Sequence, residues 1–247
     1  MYEHFIIMSS SYIKGTRIAI DYVFRDSIDV DKMKATIEEI KMQCGEGVSF
    51  STHLVSTERK SWKSVVVYDP FFKDAYKAGS LQEFVSLIKD DMVLRGIDVA
   101  RYIISKKVCT HLELEKLVYL CYAEYLCKYG ERLYEDKIYA FQYGPVVKSV
   151  YDVFNHKKGR LRKGVKEQIS RSRFMVLQDG MNRLLFIDDT LKKYKNCKAR
   201  DLVSITHADK SPWSMKDYKK EFQEIDDETI KLYHHNEEIY FQQKYLG

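Results

Sequence analysis

Residues 114–130 constrain the fold of this chain more than any other stretch. Apolar residues recur there at the three- and four-residue spacing of one helical face: Leu114, Leu117, Val118, Cys121 and Tyr125. This spacing predicts an amphipathic helix whose apolar side faces the protein interior. Glycine adopts the left-handed conformation that closes a helix without a clash at Cβ, so we expect the helix to end near Gly130.

A second helix is expected shortly after the first. Pro145 fixes its own φ and donates no backbone hydrogen bond, so it suits the first turn of a helix. The apolar residues of this predicted helix are Val146, Val147, Val150, Tyr151 and Phe154. Gly144 would let the chain turn into it.

Three separated blocks of the sequence resemble the Panacea domain, also called the SocA-like antitoxin domain. They are residues 115–119 (EKLVY), residues 139–147 (YAFQYGPVV) with Val150 and Tyr151 after them, and residues 206–213 (THADKSPW). The blocks occur in the family's order, which makes the resemblance specific. It covers about residues 96–233 and leaves the first hundred residues outside.

The resemblance implies a mostly helical antitoxin that binds and neutralises a cognate toxin protein by direct complex formation. The residues that it marks for partner contact are Lys116, Tyr119, Phe141, Tyr143, Gly144, Pro145, Val146, Lys148, His207, Pro212 and Trp213. Several also have structural uses. We expect the stem of Lys116 to pack beside the helix stripe while its head reaches an edge, and the indole N–H of Trp213 to stay in water.

Two other functions remain open at the level of sequence. One is a phage or mobile-element protein that inhibits or modulates a host defence factor by binding. The other is a nucleic-acid-binding regulator. An enzyme is not expected, because the chain has no G-x-S-x-G elbow, P-loop, H-E-x-x-H pair or glycine-rich dinucleotide turn. Cys197 and His207 are a weak candidate pair, since nothing in the sequence orients the imidazole.

The net charge of +5 indicates where a charged partner would bind. Residues 1–96 hold 13 basic and 14 acidic side chains, so the positive excess lies in the second domain. It is concentrated in eight basic residues: Lys157, Lys158, Arg160, Arg162, Lys163, Lys166, Arg171 and Arg173. We expect an exposed loop or frayed helix end. Lys157, Lys158, Arg160, Arg162 and Lys163 are the candidate contacts to nucleic acid or an acidic partner, and the lack of aromatic residues among them favours phosphate or carboxylate contact.

The predicted fold class is α+β, with a boundary near residue 96. Residues 1–96 read as a small α/β sandwich of unknown role, with strands at 4–10, 17–24, 48–55 and 64–68. Helices follow Asp29 and Ser80. Residues 97–247 are expected to be mainly helical, with helices at 97–106, 190–194, 199–206 and from 227 onward. One β-hairpin is expected there, with strands at 172–177 and 184–188 around Asp179-Gly180.

Composition favours an ordinary globular protein in the cytosol. No apolar run reaches the roughly 20 residues that cross a bilayer, and no signal-peptide order begins the chain. The five cysteines lack paired metal spacing, so buried free thiols are expected, with no disulfide, metal or cofactor. His234 and His235 point about 100° apart on a helix, so they cannot chelate one ion together, and solvated roles are expected. The oligomeric state does not follow from the sequence.

Overall fold

The computed structural model describes residues 1–220 and 222–245 of the chain. The chain divides into two compact units, residues 1–93 and residues 94–247. Residues 246 and 247, the end of the predicted second domain, lie outside the described part. The first unit is a four-stranded sheet with helices and the second is mainly helical, so the α+β fold class is confirmed.

The first unit is built on a sheet in the order β3-β1-β2-β4. Its strands are β1 (Tyr2–Ser11), β2 (Thr16–Arg25), β3 (Ser51–Thr57) and β4 (Tyr76–Lys77). Strand β1 pairs antiparallel with β2 and β3, while β4 joins β2 in parallel. The predicted β1 and β2 are confirmed, and the third predicted strand begins three residues later than expected.

Apolar residues cover both faces of this sheet. Helices α1 (Val30–Cys44) and α3 (Leu81–Met92) pack on one face, where Ile7, Ile20 and Phe84 are buried. Helix α2 (Trp62–Tyr68) and a 3-10 turn (Pro70–Phe72) cover the other. Asp29 and Ser80 cap their helices as predicted.

The predicted strand at residues 64–68 is wrong, because α2 occupies those residues. Its run of three valines favours a strand locally. However, the Ser61 side chain accepts a hydrogen bond from the Ser64 amide and caps a helix, and Val65 is fully buried from that helix. The cap and tertiary burial therefore outweigh strand propensity.

The second unit surrounds one long helix, α5 (His111–Tyr129). Thr110 and Glu113 form a capping box at its start, and Gly130 ends it with a φ of 74°, as predicted. The expected one-sided apolar stripe is wrong, however. Nearly every residue from Glu113 to Leu126 is buried because α5 is enclosed by neighbouring elements.

Five helices contact α5: α4 (Gly96–Lys106), α6 (Lys148–Phe154), α9 (Gly180–Lys193), α10 (Ala199–Thr206) and α11 (Asp227–Tyr245). Two short helices, α7 (Val165–Gln168) and α8 (Ser170–Met175), pack against α4. The predicted α4, α10 and α11 are confirmed. Short strands β5 (Cys109–Thr110) and β8 (Arg160–Leu161) pair, as do β6 (Ile138–Phe141) and β7 (Gly144–Val147).

The predicted hairpin of the second unit is present at a different place. Residues 172–188 form helices α8 and α9, so the strands expected around Asp179-Gly180 are wrong. The observed hairpin is β6–β7, so Pro145 lies in a strand and the expected helix begins only at Lys148. A Cβ built on Gly180 would lie 1.7 Å from the Phe174 carbonyl oxygen, so the close approach of the two helix ends, and not a β-turn, requires this glycine.

Candidate functional site

The three sequence blocks of the second unit meet at the β6–β7 hairpin. Lys116 of α5 lies beneath it, fully buried, and its Nζ donates a hydrogen bond of 2.8 Å to the Pro145 carbonyl oxygen. The nearest carboxylate oxygen, from Glu115, is 4.0 Å away. Burial lowers the pKa of Lys116 to about 8, and Glu115 opposes that shift. The expectation that the Lys116 head reaches an edge is therefore wrong, because its ammonium group is buried and hydrogen-bonded to the inner side of the hairpin.

The hairpin closes with a two-residue turn, Gln142-Tyr143. Gly144 follows at a φ of 104°, in a region that other residues rarely adopt. A Cβ on Gly144 would lie 2.9 Å from Oγ1 of Thr206 and 3.1 Å from Cε of Lys116. Glycine therefore lets the turn sit directly on α5 and α10. The side chain of Tyr143 projects outward and is 62% exposed.

The third block completes the base of the hairpin. The Ser211 hydroxyl is buried and donates to the Thr206 carbonyl oxygen over 2.9 Å, which folds the chain back after α10. Trp213 then donates its indole N–H to the Phe141 carbonyl oxygen over 2.7 Å. The expectation that this N–H stays in water is wrong, because it ties the third block to strand β6.

His207 ends α10 and stacks on Trp213, with ring centroids 3.6 Å apart and planes 5° apart. Tyr218 also stacks on Trp213, with ring centroids 5.2 Å apart. Burial lowers the pKa of His207 to about 4; Lys116 adds to this shift, and a hydrogen bond to the main chain of Tyr143 opposes it. The imidazole is therefore neutral near pH 7. Its Nε2 is buried and has no hydrogen-bond partner within residues 1–220 and 222–245.

These residues form an exposed surface that we call the aromatic face: Tyr143, His207, Trp213, Tyr218 and Phe222. Phe222 is 53% exposed and makes edge contacts with the rings of Tyr139 and Phe141. A cavity of about 280 Å³ opens beside it, and Lys219 and Lys220 contribute to its lining. The aromatic face thus combines apolar rings with a cationic rim.

The structure separates the predicted contact residues into a surface group and a buried group. Tyr143 and Lys148 are exposed, and Lys148 pairs with Asp152 over 2.6 Å. Phe141, His207 and Trp213 are partly exposed. The buried residues are Lys116, Tyr119, Gly144, Pro145, Val146 and Pro212. All of these except Tyr119 belong to the hairpin or its base. Tyr218 and Phe222 belong to the face and were missed because they lie outside the three blocks from which the contacts were predicted.

Tyr119 and His234 belong to a separate buried network. The Tyr119 hydroxyl donates to Glu237, whose Oε2 lies 2.6 Å from Nδ1 of His234. His234 is 1% exposed, so the solvated role expected for it is wrong. His234 and Glu237 are three residues apart on α11, and this helical spacing is the sequence signal that could have predicted their contact.

The basic stretch is more ordered than expected. Strand β8 and helices α7 and α8 occupy parts of it. Seven of its eight basic side chains are exposed, but Arg173 is buried and forms an ion pair with Asp98 over 3.3 Å. The only acid in the stretch, Glu167, bonds to the Gly164 amide. The positive surface of the stretch therefore consists of the seven exposed basic side chains and does not include Arg173.

The cysteines are all free, as far as residues 1–220 and 222–245 show. Cys44, Cys109, Cys121 and Cys197 are buried, whereas Cys127 is exposed, contrary to expectation. No helix in the described part of the chain combines the length and apolar character needed to cross a membrane.

Comparison with known proteins matches the segment that contains the β6–β7 hairpin. Residues 114–214 match the family model described as the antitoxin SocA-like, Panacea domain. This segment of the second unit is therefore similar to the Panacea domain. No curated protein and no solved structure matches the chain. The Panacea match begins in α5 and ends just after Trp213, so it spans the hairpin and its supports. Residues 1–93 lie outside it, as the sequence resemblance predicted.

Proposed function

We propose that this protein is an antitoxin that binds a cognate toxin protein in the cytoplasm and neutralises it by forming a direct complex. The toxin's active surface is covered, and no covalent bond changes. The antitoxin-like family supports the general role. The observation that carries the assignment to a site is the exposed aromatic face, which lies where all three Panacea-like blocks converge.

Aromatic rings suit the centre of a protein interface. They bury large areas with few rotatable bonds, and binding energy commonly concentrates in such residues. Here the rings rest on fixed supports: the Lys116 bond to Pro145, the Trp213 bond to Phe141, and the stack of His207 on Trp213. Because these supports exist before binding, little conformational entropy is lost on association.

The rim of the aromatic face indicates the chemistry of the toxin surface. Lys148 is exposed beside the hairpin, and Lys219 and Lys220 line the adjacent cavity. A complementary partner surface has an apolar centre and acidic side chains around it. The ion pair of Lys148 with Asp152 is solvent-exposed and weak enough to exchange for a partner carboxylate.

Coexpression with the protein encoded next to this chain's gene tests the proposal. The antitoxin should restore growth and copurify with its neighbour, and Tyr143→Ala should abolish both effects. Leu232→Ala is the matched control, because Leu232 is also 62% exposed but belongs to α11 and not to the hairpin. Unchanged neutralisation by Tyr143→Ala would refute the site. Failure of the unmodified protein to neutralise would refute the function and favour a host defence factor as its target.

A second candidate function is nucleic-acid binding through the basic stretch. Its seven exposed cations and single acid favour contact with phosphates. An antitoxin that also binds nucleic acid would be able to regulate its own synthesis. This function uses a surface different from the aromatic face, so the two are separable by mutation.

A further inference from the structure

Three potential metal ligands meet where α5, α9 and α11 pack together. Glu124 comes from α5, and His234 and Glu238 come from α11, one helical turn apart on the same face. Each offers one ligand atom, and these atoms lie within 4.8 Å of one another. The three residues line a cavity of about 460 Å³.

His234 is oriented as a metal-binding imidazole would be. Its Nδ1 lies 2.6 Å from Oε2 of Glu237, and that carboxylate also accepts a hydrogen bond from the Tyr119 hydroxyl. A carboxylate on one ring nitrogen fixes the ring and directs the lone pair of the other nitrogen outward. That other nitrogen, Nε2, is buried and has no hydrogen-bond partner in the described part of the chain.

Glu124 is held in place by hydrogen bonds of its own. The Tyr194 hydroxyl donates to its Oε1 over 2.7 Å, and the Thr190 hydroxyl donates to its Oε2 over 3.4 Å. Tyr194 and Thr190 are both buried, so the orientation of Glu124 is set by the core of the second unit. Such outer contacts are typical of carboxylates that ligate metals.

Lys193 supplies the positive charge that the two carboxylates need. Its Nζ lies 2.8 Å from Glu124 Oε1 and 3.2 Å from Glu238 Oε1. It leaves the imidazole Nε2 without a partner, so it satisfies only two of the three converging groups. The side chain of Lys193 is 29% exposed. Its ammonium group can turn toward solvent while its aliphatic stem stays packed.

We propose that Glu124, His234 and Glu238 form a binding site for a divalent transition-metal ion of the Zn²⁺ type, which displaces the ammonium group of Lys193. One imidazole nitrogen and two carboxylate oxygens suit zinc, whereas calcium and magnesium prefer oxygen ligands alone. Bonds to zinc are about 2.0–2.2 Å long, so the ligand atoms must draw together as the ion enters. The fourth position faces the cavity and is open to water. The bound ion joins α11 to α5.

Titration calorimetry of the full chain with Zn²⁺ tests this site. We expect one ion per chain and a higher melting temperature when the ion is bound. Glu238→Gln keeps the size of a side chain that is 42% exposed, and it should weaken binding by at least about tenfold. Lys193→Gln removes the competing cation and should tighten binding.

Asp189→Asn is the matched control, because Asp189 lines the same cavity but is not one of the three ligands. Its Zn²⁺ affinity should equal that of the unmodified protein. Co²⁺ gives a second readout, since binding in a four-coordinate protein site strengthens its visible absorption, and Glu238→Gln should weaken that increase.

The proposal is overturned if the unmodified protein binds no Zn²⁺. It is equally overturned if Lys193→Gln binds Zn²⁺ and the unmodified protein does not, because the ammonium group of Lys193 would then occupy the site permanently. It is also overturned if Glu238→Gln binds as tightly as the unmodified protein, because the ion would then sit elsewhere.

Discussion

The ammonium group of Lys116 lies 2.8 Å from the carbonyl oxygen of Pro145, and both residues are buried. A buried charge without a partner is costly, so this bond strongly favours one position of the hairpin over α5. Tyr143 lies two residues before Pro145 in the turn of this hairpin, so the position of the hairpin sets the direction of the Tyr143 side chain. The contact therefore links the centre of the second unit to the aromatic face.

Gly144→Ala should destabilise the second unit. The new Cβ would require the unfavourable φ of 104° and would lie 2.9 Å from Oγ1 of Thr206. We expect a loss of roughly 2–4 kcal/mol in the free energy of unfolding, measured by urea denaturation.

Gly159→Ala separates these two effects. Gly159 also has a positive φ, of 85°, but nothing lies within 4 Å of a Cβ built there. Its variant should lose only about 1–2 kcal/mol from backbone strain. Equal losses in the two variants would show that the hairpin does not press on α10 and α5.

The titration of His207 should make stability depend on pH. Burial lowers its pKa from 6.5 in the unfolded chain to about 4 in the folded one. Between these values the unfolded state binds the extra proton, so acidification from pH 6.5 to pH 4 favours unfolding. The melting temperature should fall over that window.

His207→Phe keeps an aromatic ring on Trp213 and removes the titrating group. Its melting temperature should fall less steeply than that of the unmodified protein between pH 6.5 and pH 4. Other groups that titrate in this window contribute to both proteins and cancel in the comparison. Parallel pH profiles would contradict the neutral, buried imidazole.

The basic surface should retard DNA in gels at low salt. Reversing the charges of Lys158, Arg162 and Lys163 to Glu should remove most retardation. The salt dependence of any residual binding should weaken by roughly one phosphate contact per removed cation. Arg160 is better left intact, because its guanidinium donates to the Val108 carbonyl oxygen and supports the β5–β8 pair.

A triple variant in the first unit controls for net charge. Lys32, Lys34 and Lys73 are exposed, and their reversal to Glu changes the total charge by the same amount. DNA binding should survive in this variant at the same salt concentration. Equal loss in both triple variants would assign retardation to overall charge, and no retardation of the unmodified protein would remove nucleic acid as a ligand.

A fragment of residues 94–247 should fold by itself and bind the toxin, with residues 1–93 adjusting partner choice. The start of the fragment matters. Leu94 is 3% exposed and its carbonyl oxygen accepts from the Glu135 amide, while the Arg95 amide donates to Asp98. A fragment beginning at residue 97 lacks these contacts and should melt at a lower temperature.

Calorimetry with the toxin shows which of the two units binds it. Affinity equal to that of the full chain assigns it to residues 94–247, and partial loss divides it. Full binding by residues 1–93, together with a folded second fragment that does not bind, would contradict the aromatic face as the site.

Much of the second unit could be predicted because its signals are local. Thr110 with Glu113 begins α5, and Gly130 ends it, so both boundaries depend on residues within one turn. Helices α4, α10 and α11 follow their own apolar periodicity in the same way. The family blocks likewise identified the segment that carries the site.

Other outcomes depended on contacts that are distant in the sequence. Gly144 and Pro145 satisfy the local rules for starting a helix, but pairing with β6 and the bond from Lys116 place them in a strand. Asp179-Gly180 satisfies the rules for a β-turn, but close packing against Phe174 makes it a link between helices. In each case the local preference is small compared with the cost of leaving buried polar groups unpaired or cores unfilled.

The sequence by itself determined the helices with strong caps, the fold class and the resemblance to the Panacea domain. Only the tertiary structure decided which residues face the solvent. It buried the ammonium of Lys116 and the indole N–H of Trp213, exposed Tyr143, and brought Glu124 to His234 from more than a hundred residues away. Burial is set by the elements that pack around a residue, and periodicity within one helix does not contain that information.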